Sequence, residues 1–315
     1  MRTRTLFIAI LTLFTLNIVG IAQQNSGQAV IRERSVNQTR VEREDLRQGR
    51  EEQRERRRNL EVWSDDREPM QEAEVVKLKV ERGGKVVIEN FHGDVTVNGA
   101  DGEMLEAKGE GDDDKVMLGY RVSGSTVFIK RSLLKGQHRG GETNIQVSLP
   151  RYAGVQVSVI TGTATISKID GEIKANVVSG DLVLNCVKGQ VKANSVSGSV
   201  EINGATGNVD AEAVSGDVTL KTEIRLSGVY NLKSMSGDVA MMMPEKSAGF
   251  TATLTTFNGD LETDFPLKLE STTQTSGMNR RIVGKYGDGQ ARVVLNSFNG
   301  TASIKKATGA FDNCK

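Results

Sequence analysis

Aromatic side chains are scarce in this 315-residue chain, which carries 9 Phe, 4 Tyr and 1 Trp. A core of ordinary thickness would lack its largest space-fillers, so Val, Ile, Leu and Ala must carry the burial. Cysteine is almost missing too. Two residues, one of them penultimate, exclude a disulfide-dense scaffold and a multi-cysteine zinc site. His92 and His138 are the only histidines and leave little for a His-rich metal centre. Net charge is near zero, with 41 basic and 40 acidic residues giving +1, which removes any global electrostatic case for a nucleic-acid partner.

What is present divides into pieces of different composition. Residues 1–22 read as a secretory signal: Arg2 and Arg4 precede an apolar run at 6–19, and Gly20, Ile21 and Ala22 supply the small residues of a cleavage site. The run is short for a bilayer span and contains Thr12, Thr15 and Asn17, so no transmembrane span is expected after cleavage. Residues 23–73 read as a charged linker. Between Arg32 and Glu68 stand 11 Arg and 11 acidic residues, a mixture that buries too little to fold and predicts a tether or a solvated helix. The acids Glu51, Glu52 and Glu55 cancel most of the field of Arg54, Arg56, Arg57 and Arg58. Residues 74–306 form the predicted folded domain, and 307–315 a C-terminal tail with Cys314.

Glycine is abundant, and 31 of the 34 lie from Gly83 onward. Gly162, Gly171, Gly180, Gly189, Gly198, Gly207 and Gly216 recur every nine residues, an internal repeat that decides the architecture. Counting each glycine as the first place, the third and fifth places are apolar, and their neighbours are mostly polar. That is the period-two alternation of a strand with one buried face. At the fifth place Ile166, Leu184, Ile202 and Leu220 alternate with Ala175, Ala193 and Ala211, so the full repeat is eighteen residues. Two parallel sheets face to face would set each Ile or Leu against a layer of Ala and fill a thin core without aromatics.

The sequence therefore predicts an all-β chain, a two-sheet parallel β-solenoid of about 18–22 residues per coil and about 11 to 12 coils, with glycine at each tight corner. Gly93, Gly237, Gly259 and Gly300 begin looser coils, with the Gly300 coil last. Phe91, Phe257 and Phe298 stand two places before the glycine, where central coils have Val178, Val196 and Val214; they are read as larger core residues in wider coils.

Asp94, Asp181, Asp217, Asp238 and Asp260 each follow a corner glycine and would stack along one edge. Calcium takes such oxygen ligands, but the calcium nonapeptide sets its Asp deeper in the unit among further glycines, whereas Asp at a turn bonds local amides. No metal or cofactor is assigned. Asp112, Asp113 and Asp114 read as a solvated loop tip. Asn176, Asn185, Asn194 and Asn203 share the sixth place and predict outward amide ladders. Enzymatic readings lack residues to stand on. No aromatic platform lies between Gly162 and Lys221, the outward fourth places hold no paired acids, and no nucleophile, phosphate-loop or metalloprotease motif occurs. Cys186 reads as a small corner residue, and a bond to Cys314 is left open.

The stretch from Val75 to Lys306 resembles the bacterial putative-adhesin family, a β-strand-repeat domain of unknown function. The resemblance lies in Ile145-Gln146-Val147-Ser148-Leu149-Pro150, the Ser-Gly-Asp and Asn-Gly-Asp turns, the run from Asn258 to Leu267, and Gly284-Lys285-Tyr286-Gly287-Asp288-Gly289 followed by Asn299-Gly300. It implies a secreted or envelope-bound β-solenoid and offers no catalytic residues. The whole chain is thus read as a non-enzymatic exported envelope protein, in the periplasm or at the cell surface, serving adhesion or structural binding to a surface protein or glycan through the solenoid surface. The alternative is a periplasmic sensory or regulatory module acting through a protein partner.

Overall fold

The computed structural model describes residues 69–111, 116–132, 141–275 and 278–307, together with Cys314. The expected leader, all but the end of the expected linker, and the Asp112 to Asp114 cluster lie outside the described residues. Met70–Lys315 is one compact unit, and every element assigned within it is a β-strand. Its first strand, Gln71–Ala73, falls inside the segment read as linker and pairs with Leu118–Ser123.

The nine-residue unit folds as a strand and a corner, and successive units alternate between two sheets of 13 and 11 strands. Each rung is one strand from each sheet joined across a glycine, and it hydrogen-bonds in parallel to the rungs on either side. In the first sheet Ile173 pairs with Val191 and Val191 with Val209. In the second, Leu182 pairs with Val200 and Val200 with Val218. The eighteen-residue period is the register itself. The chain is thus a two-sheet β-solenoid.

The size alternation becomes the core. Leu184 and Ile202 line the inner face of the second sheet, Ala175 and Ala193 that of the first, and all are fully buried. Burying a Leu or Ile contributes about 1.5–3 kcal/mol, so the thin core gains stability by repetition.

The two corners use glycine differently. Gly93, Gly162, Gly180, Gly198, Gly216, Gly237, Gly300 and Gly259 stack in that order, all with φ between 107° and 154°. A Cβ on any of them would fall on the carbonyl oxygen of the layer before it. At the opposite corner Gly171, Gly189 and Gly207 lack the positive φ, yet a Cβ there would also strike a carbonyl one layer down.

The stacking order corrects the expectation that the Gly300 coil comes last. Ala291–Asn299 pairs with Val229–Ser236 on one side and with Phe250–Asn258 on the other, both in parallel. The final stretch of chain therefore inserts between the Gly237 and Gly259 rungs. Among the described residues the expected 11 to 12 coils also reduce to nine parallel layers, eight cornered by glycine and a ninth made by Thr126–Arg131 with Thr143–Pro150. The remaining strands are antiparallel. Gln71–Ala73, Val75–Lys79, Met104–Gly111 and Leu118–Ser123 close one end, and Lys268–Thr275 with Met278–Tyr286 extend the first sheet at the other. The short edge strand Val75–Lys79, whose Lys77 and Lys79 pair with Glu106 and Glu103, blunts the exposed edge of the second sheet against further pairing.

Aromatic rings collect where the repeat ends. Phe250, Phe265 and Tyr286 form a cluster with centroids 5.2–5.6 Å apart. Cys314 is bonded to Cys186 across 128 residues of sequence, which sets its Sγ beside Gly204.

Candidate functional site

Strand parity places an apolar column outside the core. Counting from buried Ile173, the residues Ala175 and Val177 point inward, and Lys174, Asn176 and Val178 outward. Val178, Val196 and Val214 are 47, 47 and 44% exposed. Ile160 and Phe91 continue the column toward one end, and Met235, Phe298 and Phe257 toward the other, each at least 40% exposed. Paired residues on either side hold the register: Val177 with Ser195 and Ser179 with Ser197 flank Val178 and Val196, and Thr256 with Ser297 and Asn258 with Asn299 flank Phe257 and Phe298.

This corrects the reading of Phe91, Phe257 and Phe298 as core residues. Their size suggested burial, but the alternation assigns them to the outer face. The inward place beside them holds polar side chains that satisfy corner carbonyls: Asn90 Nδ2 donates to Gly93 O (2.9 Å), Ser297 Oγ to Gly237 O (2.9 Å) and Thr256 Oγ1 to Gly300 O (2.8 Å). Eight contiguous apolar side chains about half exposed present on the order of 600 Å², the size of the largest apolar patches on monomers, which are often functional.

Past the exposed Ser179, Ser197, Ser215 and Ser236 stands the acidic edge. Its carboxylates build a ladder. Asp94 Oδ1 accepts the N–H of Thr163 (2.7 Å), Asp181 Oδ1 that of Ser199 (2.8 Å), Asp217 Oδ1 that of Asp238 (2.8 Å) and Asp238 Oδ1 that of Thr301 (2.7 Å). Ser199 Oγ accepts the N–H of Asp217 (3.3 Å). Asp260 pairs with Arg280. Every acid of the edge but Asp260 thus serves a backbone donor of the next layer, which is what an Asp at a turn offers. Among the described residues no three His, Cys, Asp or Glu side chains converge on a common point.

The other flank of the stripe is the outer face of the first sheet, where Asn194 Nδ2 donates to Asn176 Oδ1 (2.9 Å) and Asn231 Nδ2 to Asp210 Oδ1 (2.9 Å). Lys85, half-buried on this face, donates to Gln156 Oε1 (2.6 Å). Burial first, and then the nearby Lys174 charge, lower its pKa below the usual lysine value. The second sheet's outer face is polar, with an Asn203 to Asn185 amide bond (3.0 Å). There Lys221 (3.0 Å) holds the Glu201 carboxyl below its ordinary pKa. The apolar stripe is therefore confined to one corner, and alternation counted from the repeat glycine is the signal that locates it.

The Toastrack DUF4097 family profile matches residues 28–305, and the chain belongs to that family. No curated protein matches. Among solved structures, it is similar to a putative cell adhesion protein from Clostridium sporogenes, at 13% identity and a TM-score of 0.33, over 76% of this chain and 100% of the other. A putative adhesin from Bacteroides fragilis matches at 14% identity and a TM-score of 0.33, over 75% and 97%. A protein from Parabacteroides distasonis described as a putative lipid binding protein matches at 12% identity and a TM-score of 0.34, over 76% and 97%.

Proposed function

We propose that this Toastrack DUF4097 chain is a non-enzymatic binding protein of the cell envelope, and that its contact surface is the apolar stripe from Phe91 to Phe257. The observation that carries the proposal is the stripe: eight apolar side chains in register on one surface make a patch of the size that is often functional on a monomer. The parallel pairing behind them sets one stripe residue on each layer, so the contact surface is built into the register of the sheet. Two features support export. The apolar run at 6–19 behind Arg2 and Arg4 has the form of a cleavable leader, and the Cys186–Cys314 disulfide belongs to an oxidising compartment. In this reading 1–22 is removed, 23–70 tethers the solenoid, the solenoid with its closing strands runs from Gln71 to Lys306, and the disulfide bonds Cys314 to it.

The test is cell fractionation followed by binding of the purified full chain to immobilised matrix proteins and glycans. The parent is compared with a Val178→Ser, Val196→Ser, Val214→Ser variant, whose sites are exposed and whose fold is checked by circular dichroism. The expected result is an exported chain whose binding the variant loses. A chain retained in the cytoplasm, or a variant that binds as the parent does, overturns the proposal.

A further inference from the structure

We infer that the stripe's partner is a cationic amphipathic α-helix of about 22 residues, lying along the solenoid axis. The inference rests on the stripe being a contact surface and adds what it contacts, from spacing and charge.

Spacing comes first. Layers of a parallel sheet repeat at about 4.8 Å, so eight positions span about 34 Å. A ligand that sets one apolar group on each layer must repeat close to that distance. Same-face residues of an extended strand recur at about 6.6–6.8 Å and lose register within three layers. An α-helix presents an apolar residue about every 5.25 Å along a heptad seam; it slips by only about 0.45 Å per layer and stays within one layer over the whole stripe. At 1.5 Å per residue, about 22 residues cover the 34 Å.

Charge selects the kind of helix. A helix about 10 Å across overhangs the rows on both sides of the stripe. One row carries Asp94, Asp181, Asp217 and Asp238, all exposed, each with one carboxylate oxygen engaged in the ladder. The row on the sheet side reads Glu89, Ser158, Asn176, Asn194, Glu212, Lys233, Asn296 and Thr255, two acids and one base among neutral polar residues. The complementary helix therefore carries Lys or Arg along one flank and neutral polar residues along the other. A second copy of this chain is a poorer match. A twofold axis across the stripe sets the Asp row against itself, and one along it sets Asp217 against Glu212 and Asp94 against Glu89, with the Asp238–Lys233 pair alone in its favour.

The probe is a synthetic 22-residue helix with Leu on a heptad seam and Lys along one flank. It is compared with the same peptide bearing Glu for Lys, and with one broken by two central prolines, by fluorescence anisotropy against the full chain. The Lys helix is expected to bind at least tenfold more tightly than either, and to weaken as salt rises. Asp181→Asn, Asp217→Asn and Asp238→Asn together should erase the Lys-over-Glu preference, because Asn keeps the Oδ1 acceptor of the ladder and removes the charge. The Val178, Val196 and Val214 to Ser variant should bind no peptide. Equal affinity for the three peptides overturns the inference, as does a dimer in light scattering that the Ser variant loses. If the Ser variant loses the matrix or glycan ligands while the parent ignores the Lys helix, the contact surface stands and the helix falls; if the Ser variant keeps those ligands, the surface reading falls as well.

Discussion

Phe257 and Phe298 stack ring on ring, with centroids 4.7 Å apart and planes 2° from parallel, although the chain lays down Phe257 first and the layer of Phe298 lies deeper in the stack. Both rings are on the surface. Phe298→Ala should therefore lower stability by about 1 kcal/mol, the scale of an aromatic pair beyond area burial. Phe250→Ala, which empties a fully buried site, should cost about 3–5 kcal/mol. Denaturant midpoints of the two variants separate these outcomes, and similar losses would contradict the outward placement of Phe298.

The corner column makes a second contrast. Gly198 has φ of 144°, and a Cβ there would fall on Gly180 O; Gly102 has φ of 118° with open space around it. Gly102→Ala should cost about 1–2 kcal/mol for the backbone conformation alone. Gly198→Ala must in addition push two layers apart and should cost more than about 3 kcal/mol. Thermal melts of the pair test this, and equal losses would mean that the layers can part freely.

Reducing the Cys186–Cys314 bond opens a loop of 128 residues. Long loops gain most from cross-linking, and about 2–5 kcal/mol should be lost. Equilibrium unfolding with and without a phosphine reductant measures the loss, and Cys314→Ser should reproduce it. An unmoved midpoint would show that the tail adds nothing to the fold.

Tyr230 is fully buried, and its hydroxyl accepts the N–H of Arg225 (3.0 Å). Burial pushes its pKa above the ordinary phenol value. The folded chain thus holds the neutral phenol after the unfolded chain has ionised near pH 10. Stability that is complete below pH 10 should fall as pH rises toward the folded pKa. Tyr230→Phe should flatten this alkaline decline while costing about 1 kcal/mol at neutral pH through the lost hydrogen bond. Melting curves from pH 8 to 11, with tyrosinate absorbance alongside, provide the check.

The central rungs are legible in the sequence because every unit states the same facts: glycine where the backbone turns, apolar residues at places three and five, and Leu184 or Ile202 matched to Ala175 or Ala193. The stripe is equally written there, since Val178 stands one place after inward Val177; at Phe91 and Phe298 side-chain size argues for burial and parity for exposure, and parity prevails. The reversed order of the last two rungs is not legible. Asn258-Gly259-Asp260 and Asn299-Gly300-Thr301 are nearly the same corner, and nothing local says which lies against Gly237. The closing strands escaped for a related reason: Met104–Gly111 and Met278–Tyr286 alternate like any other strand, and direction is set by the partner they find.

That reversed order also decides when the fold can be completed. As the chain emerges from its N-terminal side, the rungs from Gly162 to Gly237 can add one upon the next as each is made. Residues 250–263 then find no layer to rest on, because the one they need is supplied by residues 291–306. Assembly at this end must wait for the last segment to arrive and slide between its neighbours. A chain cut short before residue 291 is missing an interior layer, and its final rung is left without a seat.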